Sequence, residues 1–531
     1  MMQAFTGTGA LIRLLVRRDR GALALWIAVM LAFPPINAAA LARMFASTEQ
    51  MQAFVRETEG NLLIVAFHGP IHAATGAGLV AWRSLLQVVF AAALGSMLFV
   101  IRHTRAEEDA GRRELVGAGA VGRLAGLTAA LAVVIVADVA AAALLAGLLA
   151  LVVGFPVAGS IAFAATLAAA GALFAGLAAV AGEVASSATS ARKLAIGAFA
   201  GLWAVRMLGN AGEAAGGPGW VSWLSPLGWA GEVRAYADER WAVFGLFAAA
   251  TVGVVALAYG LAARRDLGAG LLALGTGPDA AGRGLRGLVG LAWRLQRGPL
   301  LLATLALALI GAALGGIGAG FAEGLEASPS LAAWLAPLRG ATLGDAFLAL
   351  MLYVLVALVG AAHGVAAVLR GRAEETRGHL TWILATSASR TRWLGSHVGL
   401  ALAGPPILAL AAGLSAGSVD ALTSGREERA AECLGLALTH VPAAWVMIGL
   451  ATALFGRFPR AAGPLAWGVL ALFTAQVALW EAGAITRPWL NPFTVSHPML
   501  ALDLRLLAVL GLAAAGLTIA GALAFRARDV G

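Results

Sequence analysis

The chain is 531 residues long, 60% hydrophobic and 12% charged, with a formal net charge of +9. A soluble domain carries roughly a quarter charged residues, so a water-soluble fold is excluded. The arginines are spread along the chain and no basic domain gathers them, which argues against a nucleic-acid partner. Several apolar runs exceed the roughly 20 residues that span a bilayer as a helix. They are continuous and rich in Ala, Leu, Val and Gly rather than alternating, so helices and not a β-barrel are expected. The fold class is therefore all-α integral membrane, with about twelve transmembrane helices. The single cysteine, Cys433, excludes an internal disulfide and any multi-cysteine metal site and is expected to be a buried apolar thiol.

Arg13, Arg17, Arg18 and Arg20 interleave with apolar positions over 5–20, which predicts a short helix lying in the membrane interface. No small-residue cleavage site stands out, so this start is expected to be retained. The first span follows from Ala22 to Leu41 and contains Pro34-Pro35. A polar segment with Glu49, Glu57, Glu59, His68 and His72 leads to the second span, over 78–101. A polar island comes next, then spans over 124–153 and 158–181, joined by the tight turn Gly154-Phe155-Pro156. The polar loop Ser186–Lys193, a fifth span ending near Leu208, a Gly/Trp/Pro segment over 216–229 and a sixth span ending near Ala263 complete the first half, 1–265.

Residues 266–297 are expected to form a cytoplasmic linker and a second interfacial helix. Arg294, Arg297 and Gly298 there match Arg17, Arg20 and Gly21. The second half, 298–531, repeats the plan, with spans near 299–320, 344–369, 394–416, 432–455, 463–481 and 501–525. The islands align without a gap at an offset of 267 residues: RAEEDAGRRELVGAGAVGR at 105–123 and RAEETRGHLTWILATSASR at 372–390. Gly111 falls on Gly378, Ala118 on Ala385 and Arg123 on Arg390. Trp223-Leu224-Ser225-Pro226 falls on Trp489-Leu490-Asn491-Pro492 at an offset of 266. Agreement at such distant points indicates duplication of a whole six-helix unit.

Of the 37 Lys and Arg residues, 26 fall in segments that lie on one side when the N-terminus is inside. The positive-inside rule therefore places both termini, the linker and both islands in the cytoplasm of a multi-pass plasma-membrane protein. If the first island is helical, Glu107, Gly111 and Glu114 share a face at i, i+4 and i+7, where the second copy has Glu374, Gly378 and Thr381. Two polar helices repeated at the mouth of a bundle are expected to receive a docked partner, with solvated loop charges as the bland alternative.

The islands resemble the cytoplasmic coupling segment of ABC-2 type exporter permeases, E-x-x-x-G-T-x-E-x-L-x-x-T-P-x-S-R. The first copy carries Glu107, Gly111, Glu114 and Arg123; the second carries Glu374, Gly378, Ile383-Leu384-Ala385-Thr386, Ser389 and Arg390. Arg112 and His379 replace the Thr of the pattern, and Ala120 and Ser387 its Pro. The layout is most similar to the fused two-half permeases of actinobacterial tetronasin-type and multidrug exporters, which implies two tandem six-helix ABC-2 type halves. The resemblance implies export of lipophilic or amphipathic drugs or antibiotics, driven by two copies of a separate ATPase subunit. That subunit would dock at Glu107, Glu108, Gly111, Glu114, Arg123, Glu374, Glu375, Gly378 and Arg390. ATP and Mg would be held by it and no cofactor by this chain. The only lysine, Lys193, has no Walker A frame, so this chain carries no P-loop ATPase site of its own.

Asp138, His363 and Arg83 fall within predicted spans, where ionisable groups are costly and tend to face a cavity, so they are the candidates for a substrate path. A satisfied structural pair is the alternative. No zincin or G-x-S-x-G motif is present, and His68 and His72 alone make a poor metal site, so neither catalytic residues nor a metal are expected. The rival to an ATP-driven exporter is an ion-coupled secondary transporter, which also uses internal repeats but needs charges at the midplane.

Overall fold

The computed structural model describes residues 2–45, 47–60, 62–117, 119–214, 216–265, 287–326, 342–481 and 490–529, with Gly270, Gly282, Leu285 and 485–486. Most of the expected linker, Ala118 and Trp489 lie outside the described residues. The described residues hold no strand. They contain twelve helices long and apolar enough to cross a membrane. The chain packs as two compact units, Met1–Thr276 and Gly277–Gly531.

In the first unit α1 spans Thr8–Met44, α2 Thr48–Gly60, α3 Leu62–His68 and α4 Gly76–His103. The island holds α5, Arg105–Asp109, and α6, Arg112–Gly117. Then follow α7 (Ala125–Gly147), α8 (Val157–Val184), α9 (Ala188–Ala214), α10 (Pro226–Glu232) and α11 (Ala242–Arg264). The second unit contains α12 (Leu288–Glu326), α13 (Leu343–Tyr353), α14 (Gly360–Thr376), α15 (His379–Leu384), α16 (Arg390–Ser424), α17 (Arg429–Thr439), α18 (Val441–Arg457), α19 (Ala462–Glu481), α20 (Pro492–Val495) and α21 (Leu504–Ala527).

Two expectations are corrected here. The separate interfacial helix at 5–20 does not exist: α1 runs unbroken through Gly21, Pro34 and Pro35. Likewise α12 carries the expected linker helix through Pro299 into the seventh span. Nothing between the arginine stripe and the apolar run forces a break, and a continuous helix keeps its backbone bonded in the membrane. Secondly, the islands are not single helices. Gly111 and Gly378 have φ values of 68° and 76°, so Glu107 and Glu114 do not share one helical face.

Small residues let the helices approach closely, the usual basis of packing in a bilayer. A Cβ on Gly311 would lie 2.4 Å from the Ser415 hydroxyl, and one on Gly315 would lie 2.0 Å from the carbonyl oxygen of Ala416, so this pair seats α12 on α16. The duplication extends to detail at the end of each bundle remote from its island. Ser225 and Asn491, each before a proline, accept a bond from the backbone two residues on, at 3.2 and 3.0 Å. Each also donates to a carbonyl of its unit's fifth span: Ser225 to Leu202, at 2.7 Å, and Asn491 to Phe473, at 2.8 Å.

Candidate coupling site

Each island begins where the second span of its unit ends. The N–H of Gly111 donates to the carbonyl of Glu108 at 2.9 Å, and that of Gly378 to Glu375 at 3.0 Å. The left-handed φ that follows is accessible to glycine without the clash a Cβ brings. The turn points a second, short helix away from the span: α6 in one unit, α15 in the other.

The adjacent carboxylates of each island form a fork. In the first unit Glu107 pairs with Arg18 of α1 at 2.9 Å and with Arg112 at 2.5 Å. Glu108 turns the other way, to Arg265 just beyond α11, at 2.8 Å, and to Arg105, at 3.0 Å. Arg265 also meets Glu183 at 2.8 Å. In the second unit Glu374 lies 3.6 Å from His397, whose Nδ1 is 3.2 Å from Gln296 on α12. Glu375 takes both guanidinium nitrogens of Arg528, just beyond α21, at 2.6 and 2.8 Å. In both units, therefore, one prong reaches toward the first helix and the other ties down the tail of the last.

Arg123 and Arg390 complete the clasp from the far side of the island. Arg123 donates to the carbonyls of Ala262, at 3.1 Å, and Arg265. Arg390 donates to that of Arg528 at 2.7 Å. Ala262 lies in the last turn of α11, and Arg265 and Arg528 are the residues just past the two closing helices, where carbonyls lack helical partners and a cation also favours the helix dipole.

Two relations with known proteins bear on this arrangement. Residues 10–265 and 285–526 match the family model described as "Multidrug efflux system permease Rv1217c, C-terminal domain". The chain is also 38% identical over 535 residues to the multidrug efflux system permease protein Rv1217c of Mycobacterium tuberculosis (strain ATCC 25618 / H37Rv), covering 99% of this chain and 96% of that protein. The chain belongs to this family of multidrug efflux permeases. The resemblance to exporter permeases read from the islands holds, and the chain is a multi-pass membrane permease.

The permease uses its island carboxylates internally. The side chains of Glu108 and Glu375 are 5% and 7% exposed. Among the described residues, the second helix of each island carries one large exposed apolar side chain. Leu115 is 78% exposed and Trp382 80%. These two occupy the same repeat position, 267 residues apart. Glu114 is exposed beside Leu115. Sequence reasoning missed Arg18, Arg265, His397 and Arg528, because each partner lies in a different helix from the motif. The one readable signal was the recurrence of an arginine just past the last span of each half.

Among the described residues no hydrogen bond or ion pair joins one substrate-path candidate to another. Asp138 is fully buried, with Oδ2 accepting from Ser96 at 2.9 Å and Oδ1 without a partner among the described residues. Gly171 supplies its space, since a Cβ there would meet Asp138 Oδ2 at 2.3 Å. Arg83, on α4, is half-buried. His363 lies in the other unit, half-buried against Gly404.

Proposed function

We propose that this permease is the transmembrane subunit of an ATP-driven exporter of lipophilic or amphipathic compounds in the plasma membrane, with its islands and termini cytoplasmic. Two copies of a separate ATPase subunit dock on the islands, one on each. ATP and Mg bind in that subunit. The observation that carries this reading is the pair of equivalent exposed apolar side chains, Leu115 and Trp382, each on the short helix that follows the carboxylate fork and Gly turn of its island. Tryptophan is among the residues that most often anchor a protein contact. The clasp gives such a contact a route into the spans: a push on α6 or α15 moves the Gly turn, the carboxylate fork and the two helices it holds. The relative's name, a multidrug efflux system permease, supports export of drug-like cargo.

The test is co-purification of the chain with an ATPase subunit encoded beside it, followed by ATP hydrolysis and cargo export in proteoliposomes. Leu115→Ala with Trp382→Ala is expected to abolish capture of the ATPase while the permease still inserts and folds. Cargo movement by the chain alone, without nucleotide, overturns the reading. Export that stops with an uncoupler while ATP stays high identifies an ion-coupled transporter instead, and Asp138 is then the residue to examine.

A further inference from the structure

At the end of the first unit remote from its island, residues of α3, α4, α8, α9 and α10 line a cavity of about 50 Å³. That is the space of roughly two water molecules, at about 30 Å³ each, and far below the roughly 300 Å³ or more of a drug-sized pocket. Whole cargo does not fit there. We propose that the cavity binds one small monovalent anion, a halide or a carboxylate group, against the buried guanidinium of Arg206.

The charges that line the cavity do not balance. Arg206, on α9, is only 1% exposed. Its Nη1 and Nη2 donate to the carbonyls of Phe67 and His68, at 2.8 and 2.6 Å, at the end of α3. Those two bonds use two of the five N–H groups of a guanidinium and leave its charge uncompensated. No carboxylate among the described residues pairs with it. Glu232, the acid in the lining, is held elsewhere: it lies 3.0 Å from Arg240 and 3.5 Å from Arg234. Arg234 also meets the exposed Asp238 at 3.4 Å. Arg206 is therefore the excess charge, and a buried charge is costly unless a counter-charge accompanies it.

Two more lining residues present polar atoms that are buried and without a partner among the described residues, Nε of Arg234 and Nδ1 of His68. The first is always a donor, and the second carries a proton in one tautomer of the neutral ring. Burial, then Arg206 and Arg83, hold His68 at about 4, so at neutral pH it adds hydrogen-bonding capacity and no charge. The wall that brings His68 and Arg206 together is fixed. Gly69 has a φ of 88°, and a Cβ on it would lie 3.1 Å from Arg206 Nη2. Its carbonyl accepts a bond from Trp82 Nε1 at 2.8 Å, and the Trp82 and His68 rings lie 4.9 Å apart. The second unit has no counterpart to Arg206, because its fifth span, α19, holds no arginine. One anion per chain is therefore expected. The inference does not rest on what powers transport.

The full chain, purified in a nonionic detergent with gluconate as the bulk anion, would be titrated with sodium chloride and, separately, with sodium acetate at constant ionic strength. Calorimetry and melting temperature follow the binding, and gluconate is too large for the cavity. One saturable site per chain is expected, with the melting temperature rising as it fills. Arg206→Gln is expected to weaken binding at least about tenfold, the factor that one charge-assisted bond supplies. Glu232→Gln removes the negative charge from the lining and is expected to tighten binding several-fold, a gain that a poorly folded variant cannot imitate. Acetate that competes with chloride for the one site supports a carboxylate group as occupant, and chloride binding without acetate supports a free halide. No saturable site for either anion, or Arg206→Gln and Glu232→Gln that both bind as wild type does, overturns the proposal.

Discussion

The two units agree at their island forks and at the Ser225 and Asn491 caps, and diverge in the other polar groups of their remote ends. Both have the Gly turn, the carboxylate fork, the arginine that caps the closing helix and the exposed apolar tip. At the remote end the first unit keeps a small cavity of about 50 Å³ lined in part by His68, His72, Arg206 and Glu232. Arg206 is buried there, donating to the carbonyls of Phe67 and His68 at 2.8 and 2.6 Å. The second unit instead packs Tyr353 between His440 and His497, with ring centroids 5.5 and 4.6 Å apart. After a duplication, geometry retained in both copies marks a task both perform. The divergent parts were free to specialise. On the function proposed above, the island ends are where two identical partners would fit, and the remote ends are where one unit can do what the other does not.

The most severe way to break the comparison is at the fork. Glu108→Ala removes one of the carboxylates that the buried Arg265 meets and is expected to cost about 3–5 kcal/mol, the usual penalty for breaking a buried ion pair. Glu375→Ala is expected to cost less, about 1–3 kcal/mol, because Arg528 is nearer solvent and keeps its two phenylalanine rings. Thermal unfolding of the detergent-purified variants measures both. Glu375→Arg with Arg528→Glu should recover most of the second loss. Equal losses in the two units, or no recovery in the exchange, would show that the prongs are incidental contacts.

Next in size is the asymmetry of the tips. Trp382→Ala is expected to weaken ATPase binding by about 2 kcal/mol or more and Leu115→Ala by about 1 kcal/mol, since tryptophan dominates contact energies and leucine does not. If the tips carry no contact, both variants bind the subunit as wild type does.

How much of this was legible beforehand follows from the range of each interaction. Helix number, the two-unit layout and the family could be read because hydropathy and the 267-residue repeat are properties of the chain itself. The role of Gly111 and Gly378 was visible as a matched pair, but the turn they make was not, since the pattern also fits one helix. The direction of Glu108 and Glu375 was illegible: Arg265 lies 157 residues from its partner and Arg528 153 from its own. Sequence marked these carboxylates as important, and only packing shows that they face inward. Leu115 and Trp382 went unremarked because an apolar residue inside a short helix reads as core.

Gly111→Ala and Gly378→Ala sharpen the same point at smaller cost. A Cβ at either position meets nothing within 4 Å, so the whole effect comes from forcing a left-handed φ on alanine, about 1–2 kcal/mol. The two losses should be nearly equal, unlike those at the fork. Unequal melting shifts would mean that the turns differ in load.

The smallest effect belongs to the remote end and to the first unit alone. Burial, with Arg206 and then Arg83 adding repulsion, holds His68 at about 4. Burial and Arg234 hold His72 at about 4, Asp238 opposing. Above about pH 6.5 both rings are neutral in the folded and unfolded segment alike, and pH has no effect through them. As pH falls below that value the unfolded segment binds protons that the folded one refuses, so its stability declines until about pH 4 and then levels. Hydrogen exchange of residues 62–75 should accelerate through that window, and His68→Gln with His72→Gln should flatten the response. A response that survives unchanged in that double variant would mean that these two histidines do not carry it.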